Sequence, residues 1–325
     1  SVLPGRALRV GVLTNPLSGG NRRGGRAVQR VIAARQPMSC HDVRTPADVA
    51  TALGDCARQE VDVVAVNGGD GTIQAVLTTL LHDRPFQTLP LLAILTAGTS
   101  SMVARDVGVG GSPARALSRL LAWASARDHE GAVSQRHVLR MEAPTVEGVR
   151  YGMSFGAGLI HDGVRFCRDK IERYGVRGQV GPMLTTALFL LTLARGSKDG
   201  RGATPMTIGL NGEPGESLQF STVLVTTLER LFLGLRPYWG DESAPLHCTT
   251  LLASPRHWLR VLPALLRGRA HPYGIPQHGY ISHNVREVQI VMDGGFTLDG
   301  ELFEADRRLG PIVLQDAGPV SFLRW

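Results

Sequence analysis

Three stretches in the first hundred residues share one layout: an unbroken apolar run, a polar loop, then apolar residues at helical spacing. "ALRVGVL" (Ala7 to Leu13) leads through "TNPLSGGNRRGG" into "RAVQRVIAA". "VDVVAV" (Val61 to Val66) leads through "NGGDG" into "TIQAVLTTLL", and "LLAIL" (Leu91 to Leu95) leads through "TAGTSS" into "MVARDVG", where Gly108 is placed to stop the helix. Continuous apolar strands alternating with helices predict a parallel sheet covered on both faces. The loops after such strands leave from one edge, so the three polar loops are expected to meet in one crevice.

After about residue 130 the period shortens. "RHVLRMEA", "VRYGMSFGAG", "MTIGLNGE", "STVLVTT", "VREVQIVM" and "GFTLDGELFEA" are short alternating or β-branched runs bounded by turn residues, which predict an antiparallel sheet or sandwich. Two helical insertions interrupt it. One runs roughly from His161 to Ala194; the other is "SPRHWLRVLPALLRG", with Ser254 and Pro255 expected at its N-cap and first helical position and Pro263 expected to kink it. The expected division is therefore residues 1–130, with a returning C-terminal segment 305–325, as an α/β domain, and residues 131–304 as a β-rich domain.

Composition narrows the chemistry. The chain has 325 residues, 43% of them hydrophobic, enough for two cores. Its 35 basic and 28 acidic residues give a net charge of +7, which favours anionic partners such as nucleotides, acidic lipid headgroups or nucleic acid, although an arginine-rich background would look the same. Lys170 and Lys198 are the only lysines, which argues against Schiff-base chemistry. Cys40, Cys56, Cys167 and Cys248 form no C-x-x-C pair and no disulfide framework, so a reducing compartment is expected. No segment near Ser1 resembles a signal peptide, and the longest apolar run, "MLTTALFLLTLA", is too short to span a bilayer.

Candidate chemistry lies mainly in the loops. The first offers Asn15, Ser18, Arg22 and Arg23 but is not a Walker A loop, since Gly25 and Arg26 stand where Lys and Ser/Thr are required. In the second, Gly68, Gly69 and Gly71 let backbone amides approach a polyphosphate, Asn67 and Thr72 flank them, and Asp70 suits a metal ion between carboxylate and phosphate. The plain alternative is a structural turn with Asp70 capping a helix. The third offers Gly98, Thr99 and Ser101, or simply an N-cap cluster.

Late in the chain, "LDGE" sets Asp299 and Glu301 on either side of Gly300, either as two carboxylates on one face of a strand or as an Asp-Gly hairpin turn. "GMSFG" matches the G-x-S-x-G nucleophile elbow with Ser154 as nucleophile. His271, His278 and His283 lack metal-ligand spacing. The arginines around Trp258 could mark an interfacial helix touching acidic lipid, or an ordinary amphipathic helix.

Taken in order, "TNPLSGG", "VNGGDGTIQAVL", "LAILTAGTSSMVARDVG" and "FTLDGELFEA" resemble the diacylglycerol kinase catalytic family, which includes bacterial lipid kinases, sphingosine kinases and ceramide kinases. The resemblance implies a nucleotide-binding α/β domain like that of NAD kinase and phosphofructokinase, then a C-terminal β-sandwich whose chain returns to the first domain. It implies ATP and Mg²⁺, with γ-phosphate transfer to a hydroxyl of diacylglycerol or a sphingoid or ceramide lipid bound between the domains. Asn15, Ser18, Arg22, Arg23, Asn67 to Gly69, Gly71, Thr72, Gly98, Thr99 and Ser101 would hold the nucleotide. Asp70 and Glu301 would hold the metal, and either Asp299 or Asp70 would be the base.

The expected partners are a lipid at the inner membrane face and acidic headgroups, with no nucleic acid, in a cytoplasmic and peripherally bound protein; a homodimer is left open. Ser101 and Met102 stand where the family often has Asn and Asp, Thr96 and Ala97 replace a Pro and an apolar residue, and Gln74 and Ala75 replace a frequent Asn-Glu. The other readings are a kinase of the same architecture with a soluble acceptor, a serine hydrolase using Ser154, and a non-catalytic nucleotide-binding homologue.

Overall fold

The computed structural model describes residues 6–96, 102–126, 132–174, 203–231 and 234–324. The chain divides into two compact units, Ser1–Arg136 with Gly318–Trp325, and His137–Ala317.

In the first unit the strands are β1 (Val10–Thr14), β2 (Ser39–Asp42), β3 (Val63–Gly68) and β4 (Leu91–Thr96). They are joined at the far side by the end of β15 (Ile312–Arg324), in the order β15-β4-β3-β1-β2, and every pairing is parallel. All five residues of β1 and all six of β3 are buried, as their unbroken apolar runs require. The helices are α1 (Asn21–Arg35), α2 (Pro46–Arg58), α3 (Asp70–Thr78, continued by a π-helical turn Thr79–Asp83), α4 (Met102–Val107) and α5 (Pro113–Ser125). Val28, Leu117 and Leu120 pack with Val10, Val12, Val63, Ala65 and Leu323 in one core.

Two local features differ from the sequence expectation. Helix α1 starts at Asn21, inside the stretch expected to be loop through Gly25, because Gly24 and Gly25 cost a helix roughly 1 kcal/mol each without forbidding it. A further βα unit, β2 and α2, lies between the first two expected ones; β2 is only four residues long and largely polar, so it carries no apolar run. Helix α2 is well signalled once sought: Thr45 accepts from the Asp48 N–H, the Asp48 carboxylate accepts from the Thr45 N–H, and Pro46 follows at the first helical position. Gly108 ends α4 as expected, where a methyl group would lie 2.0 Å from the Ala104 carbonyl oxygen.

The second unit is β-rich. Its strands are β5 (Ala132–Glu142, which begins in the first unit), β6 (Arg150–Gly152), β7 (Ser154–Gly158), β8 (Thr204–Leu210), β9 (Ser217–Thr226), β10 (Leu246–Leu252), β11 (Tyr280–Val285), β12 (Glu287–Val291), β13 (Gly294–Leu298), β14 (Glu301–Ala305) and the start of β15. The order is β14-β13-β7-β9-β8-β12-β15, with antiparallel ladders throughout; β10 adds to β9 and carries β11, and β5 pairs with β6. Stacked Phe155, Phe296 and Phe303 run through its core.

Helix α6 (Leu159–Tyr174) opens the first expected insertion, whose remainder lies outside the described residues. The second insertion is helix α7 (Trp258–Leu265), which starts after His257 in a left-handed conformation; Ser254 and Pro255 precede it rather than capping it, and Pro263 sits inside it. Among the described residues no helix is long and apolar enough to cross a membrane.

Arg136 and Asp106 form a buried ion pair in the first unit, Nε to Oδ2 at 2.8 Å, while Arg136 Nη1 also donates to Ser134 Oγ and the Gln135 carbonyl. Removing one partner strands a charge out of water. Asp106→Leu is expected to cost about 3–5 kcal/mol in urea unfolding, and Asp106→Leu with Arg136→Met to cost less than the single change.

Candidate functional site

The C-terminal ends of β1 and β3 hold most of the expected site. Thr14 and Asn67 are register partners there, and each strand then gives way to a loop and a helix. Asn15 organises the first loop: its Oδ1 accepts from the Leu17 N–H at 2.9 Å, its carbonyl accepts from Ser18 Oγ at 3.0 Å, and its Nδ2 donates to Thr72 Oγ1 at 2.9 Å. That last bond links "NPLSGG" to "GGDGT". The Asn15 N–H also donates to the Asn67 carbonyl at 2.9 Å.

Asn21 was not singled out in the sequence, yet it ties the same two loops. Its Nδ2 donates to the carbonyls of Asn15 and Asn67, at 2.8 and 3.0 Å. An Asn opening a helix after a glycine pair is a weak signal; its reach to a carbonyl 46 residues away is invisible without the fold.

The "GGDGT" turn opens α3. Gly69 is the N-cap, and its carbonyl accepts from the N–H groups of Thr72 and Ile73. Asp70 is therefore the first helical residue and not the capping side chain, so the capping alternative fails. Its half-buried carboxylate sits in the first turn, where the helix dipole stabilises negative charge. Gly68 allows the close approach of Thr72, since a methyl at Gly68 would lie 2.6 to 2.7 Å from the Thr72 side chain. Arg22 and Arg23 lie in the first turn of α1, which has no acidic residue. Gly98, Thr99 and Ser101 lie outside the described residues.

This edge also concentrates polar atoms that the chain leaves unsatisfied. Among the described residues, Thr14 Oγ1, Asn21 Oδ1, both side-chain polar atoms of Asn67 and Gln74 Nε2 are buried without a hydrogen-bond partner. Asn67 is fully buried. Each such atom costs about 1–3 kcal/mol unless water or a ligand meets it.

The second unit holds the late motif. Asp299 and Gly300 have φ of 48° and 86° and join β13 to β14 by a two-residue turn, with Leu298 opposite Glu301. Both central residues are left-handed, as a type I′ hairpin demands. The expectation of two carboxylates on one strand face is thus corrected: Asp299 is a buried turn residue, and Glu301 begins the next strand, exposed.

The Asp299 carboxylate accepts from the N–H groups of Met153, at 3.1 Å to each oxygen, and of Ser154, at 2.9 Å. Its own N–H donates to the Ser154 carbonyl at 2.8 Å. Gly152 leaves room for it. The hairpin alternative and the placed carboxylate are therefore the same feature.

Ser154 does not stand on a nucleophile elbow. It is the buried first residue of β7, opposite Thr226, and the strand-to-helix turn comes only at Gly158 and Leu159. Among the described cysteines, burial pushes the Cys248 thiol up to about 12 and raises those of Cys40 and Cys56. His271, His278 and His283 join no metal cluster, because among the described residues no group of three or more His, Cys, Asp or Glu could hold a metal ion.

A parallel α/β sheet whose loops gather amide and side-chain donors at the strand ends defines an anion-binding class of domain. The sequence model of the diacylglycerol kinase catalytic domain matches residues 9–129. Residues 9–129 therefore carry a domain of the diacylglycerol kinase catalytic type. A diacylglycerol kinase of Bacillus subtilis (strain 168) is 29% identical over 104 residues, which span 31% of this chain and 33% of that protein.

Two crystal structures bearing the diacylglycerol kinase name, from Bacillus anthracis str. Sterne, superpose with TM-scores of 0.60 and 0.64. Each is 16% identical to this chain, and each match covers 97% of this chain and 96% of the other. At that identity they establish the fold: an α/β domain followed by a β-rich region.

Two substitutions test the geometry. Asn21→Ala removes one donor from each of the Asn15 and Asn67 carbonyls, which keep Ser18 and the Asn15 N–H, and at about 0.5–1.5 kcal/mol per lost bond is expected to cost about 1–3 kcal/mol in denaturant unfolding. Gly152→Ala would put a methyl 2.6 Å from Asp299 Oδ2 and 2.9 Å from Leu298 Cγ. It is expected to cost about 1–3 kcal/mol and to lower the melting temperature, where the same change at exposed Gly19 does not.

Proposed function

We propose that this protein is an ATP-dependent lipid kinase that transfers the γ-phosphate to a hydroxyl of diacylglycerol or of a sphingoid or ceramide lipid. The observation that carries the reading is the set of unsatisfied buried polar atoms of Thr14, Asn21, Asn67 and Gln74 beside the Gly68 to Thr72 turn. A nucleotide polyphosphate with its bound water would meet such groups, and glycine amides at a helix start favour phosphate. Arg22 and Arg23, in the first turn of α1 without an acidic neighbour there, are assigned to phosphate charge. Gly98, Thr99 and Ser101 are kept as nucleotide contacts on the family resemblance.

A magnesium ion is assigned with the nucleotide. Magnesium takes one or two carboxylates and fills its remaining positions with phosphate oxygens and water, so it needs no closed cage of protein ligands. Asp70 would hold it in the first unit; Glu301 is kept as an acidic candidate on the family resemblance alone. When bound, the ion neutralises charge on the transferring phosphate.

Asp299 is assigned to the acceptor hydroxyl. An ionised carboxylate is the side chain that can take a proton from an incoming alcohol, and the Met153 and Ser154 amides fix where this one stands. The two amides hold it in position before substrate arrives. Met153 and Ser154 therefore act as positioning residues through their backbone.

The test is transfer from γ-labelled ATP, with Mg²⁺, to mixed micelles carrying diacylglycerol, monoacylglycerol, sphingosine or ceramide. Asp299→Asn is expected to lower kcat by roughly 10²–10⁴-fold while ATP still raises the melting temperature. Asp70→Asn is expected to lose activity and also the extra stabilisation that Mg²⁺ adds to ATP. Labelling of a lipid that survives both substitutions, or no labelling of any lipid by the wild type, would sink the assignment.

A further inference from the structure

A second feature lies in the β-rich unit, and the transfer reaction makes no use of it. Helix α7 turns Val261 and Leu265 inward onto Leu251 and Tyr280, with Leu262 and Trp239 packed alongside. Its other side is turned to solvent. Leu259 is 70% exposed there, the most exposed of the large apolar side chains among the described residues, and Tyr273 and Ile275 are each 37% exposed.

The segment carrying Tyr273 and Ile275 is pinned to this helix. The Tyr273 ring contacts those of His257 and His278 at centroid distances of 4.6 and 5.7 Å, and the Arg260 guanidinium lies 5.8 Å from its centre. The Arg256 N–H donates to the His278 carbonyl, and Tyr280 Oη donates to the Arg256 carbonyl, both at 2.9 Å. Helix and segment thus form one structure, with Leu259 set between His257 and Arg260.

Charge marks the same structure. The 44 residues from Ser243 to Arg286 contain no aspartate or glutamate, but they contain five arginines and five histidines. Arg256, Arg260, Arg267 and Arg269 are exposed, and none of these four forms an ion pair with a described residue. Arg6, Arg9, Arg58, Arg140, Arg307 and Arg308 pair with carboxylates, while Arg30, Arg35, Arg44 and Arg84 pair with none among the described residues, so what sets the α7 arginines apart is that the whole stretch around them lacks an acidic residue.

We propose that this structure, helix α7 with the segment His271 to His278, docks onto the surface of an anionic phospholipid bilayer. The arginines would meet lipid phosphates and carboxylates, while Leu259, Tyr273 and Ile275 enter the boundary between headgroups and chains. The exposed leucine decides against nucleic acid, because a surface that tracks phosphates alone gains nothing from an aliphatic crest among its arginines. The proposal does not depend on catalysis. Docking is read without ATP, so its failure and a failure of phosphate transfer are separate results.

The full chain is floated with phosphatidylserine-containing vesicles, with pure phosphatidylcholine vesicles and with single-stranded RNA as competitor. Binding is expected to the anionic vesicles only. Each of Arg256→Gln and Arg260→Gln is expected to weaken the partition constant roughly fivefold. Leu259→Ser is expected to weaken it roughly tenfold without any change in charge, and Ile275→Ser to act in the same direction from the other side of the surface. Melting temperatures are expected to match the wild type, because all four positions are exposed.

Three results would overturn the proposal: no binding of the wild type to anionic vesicles, equal binding to neutral ones, or partitioning indifferent to both Leu259→Ser and Ile275→Ser. Displacement by RNA with the same insensitivity at Leu259 would assign the surface to nucleic acid instead.

Discussion

Asn21 donates both protons of its side-chain amide, one to the carbonyl of Asn15 and one to that of Asn67, and the loops at the end of the parallel sheet are held by that clamp. Where a buried strand stops, its last carbonyls lose their ladder partners, and a buried carbonyl must be met by some donor. Here Asn21 adds a second donor to the Asn67 carbonyl, which already accepts from the Asn15 N–H, and reaches the Asn15 carbonyl in the loop beyond β1, while the Asn15 amide fastens that loop to Thr72 at the start of α3. The same edge leaves the Asn67 side-chain amide and Gln74 Nε2 buried without a hydrogen-bond partner.

Asp299 illustrates how one residue can serve the fold and the chemistry together. A type I′ turn needs positive φ at both central positions, and aspartate tolerates that conformation better than most side chains. The turn then sets the carboxylate over the amides of Met153 and Ser154, at the start of β7. Its backbone closes the hairpin while its side chain is fixed by a neighbouring strand pair. Gly152 completes the arrangement, because any larger residue would occupy the space of the carboxylate.

The two units also differ in how they use charge. In the first, the acidic Asp106 is buried against Arg136, and the polar atoms gather at the strand ends. In the second, a long stretch without a carboxylate surrounds α7, whose apolar inner face is satisfied while its outer face keeps a leucine in water. A helix that had only to cover the sheet would need no such crest.

Much of this was legible in the chain. The unbroken apolar runs of β1, β3 and β4 announced a doubly covered parallel sheet, Gly108 announced the end of α4, and the ordered motifs announced the family. Those signals are local, and a few neighbouring residues carry each of them. Strands β2, β10 and β11 were missed. Four-residue β2 is too polar to read as a strand, and the Thr and His residues of β10 and β11 break their alternation. The return of β15 was expected only from the family resemblance, and its pairing of Phe322 with Leu92 joins residues far apart in the chain.

The same limit governs the site. The types and spacing of Asp70, Thr72 and Asp299 were set by sequence. That Asp299 would sit in a turn on the amides of Met153 and Ser154, that Glu301 would be exposed, and that Asn21 would clamp two loops were decided only by tertiary structure. Hydrogen bonds across 46 or 146 residues depend on which strands become neighbours, and no local pattern records that choice.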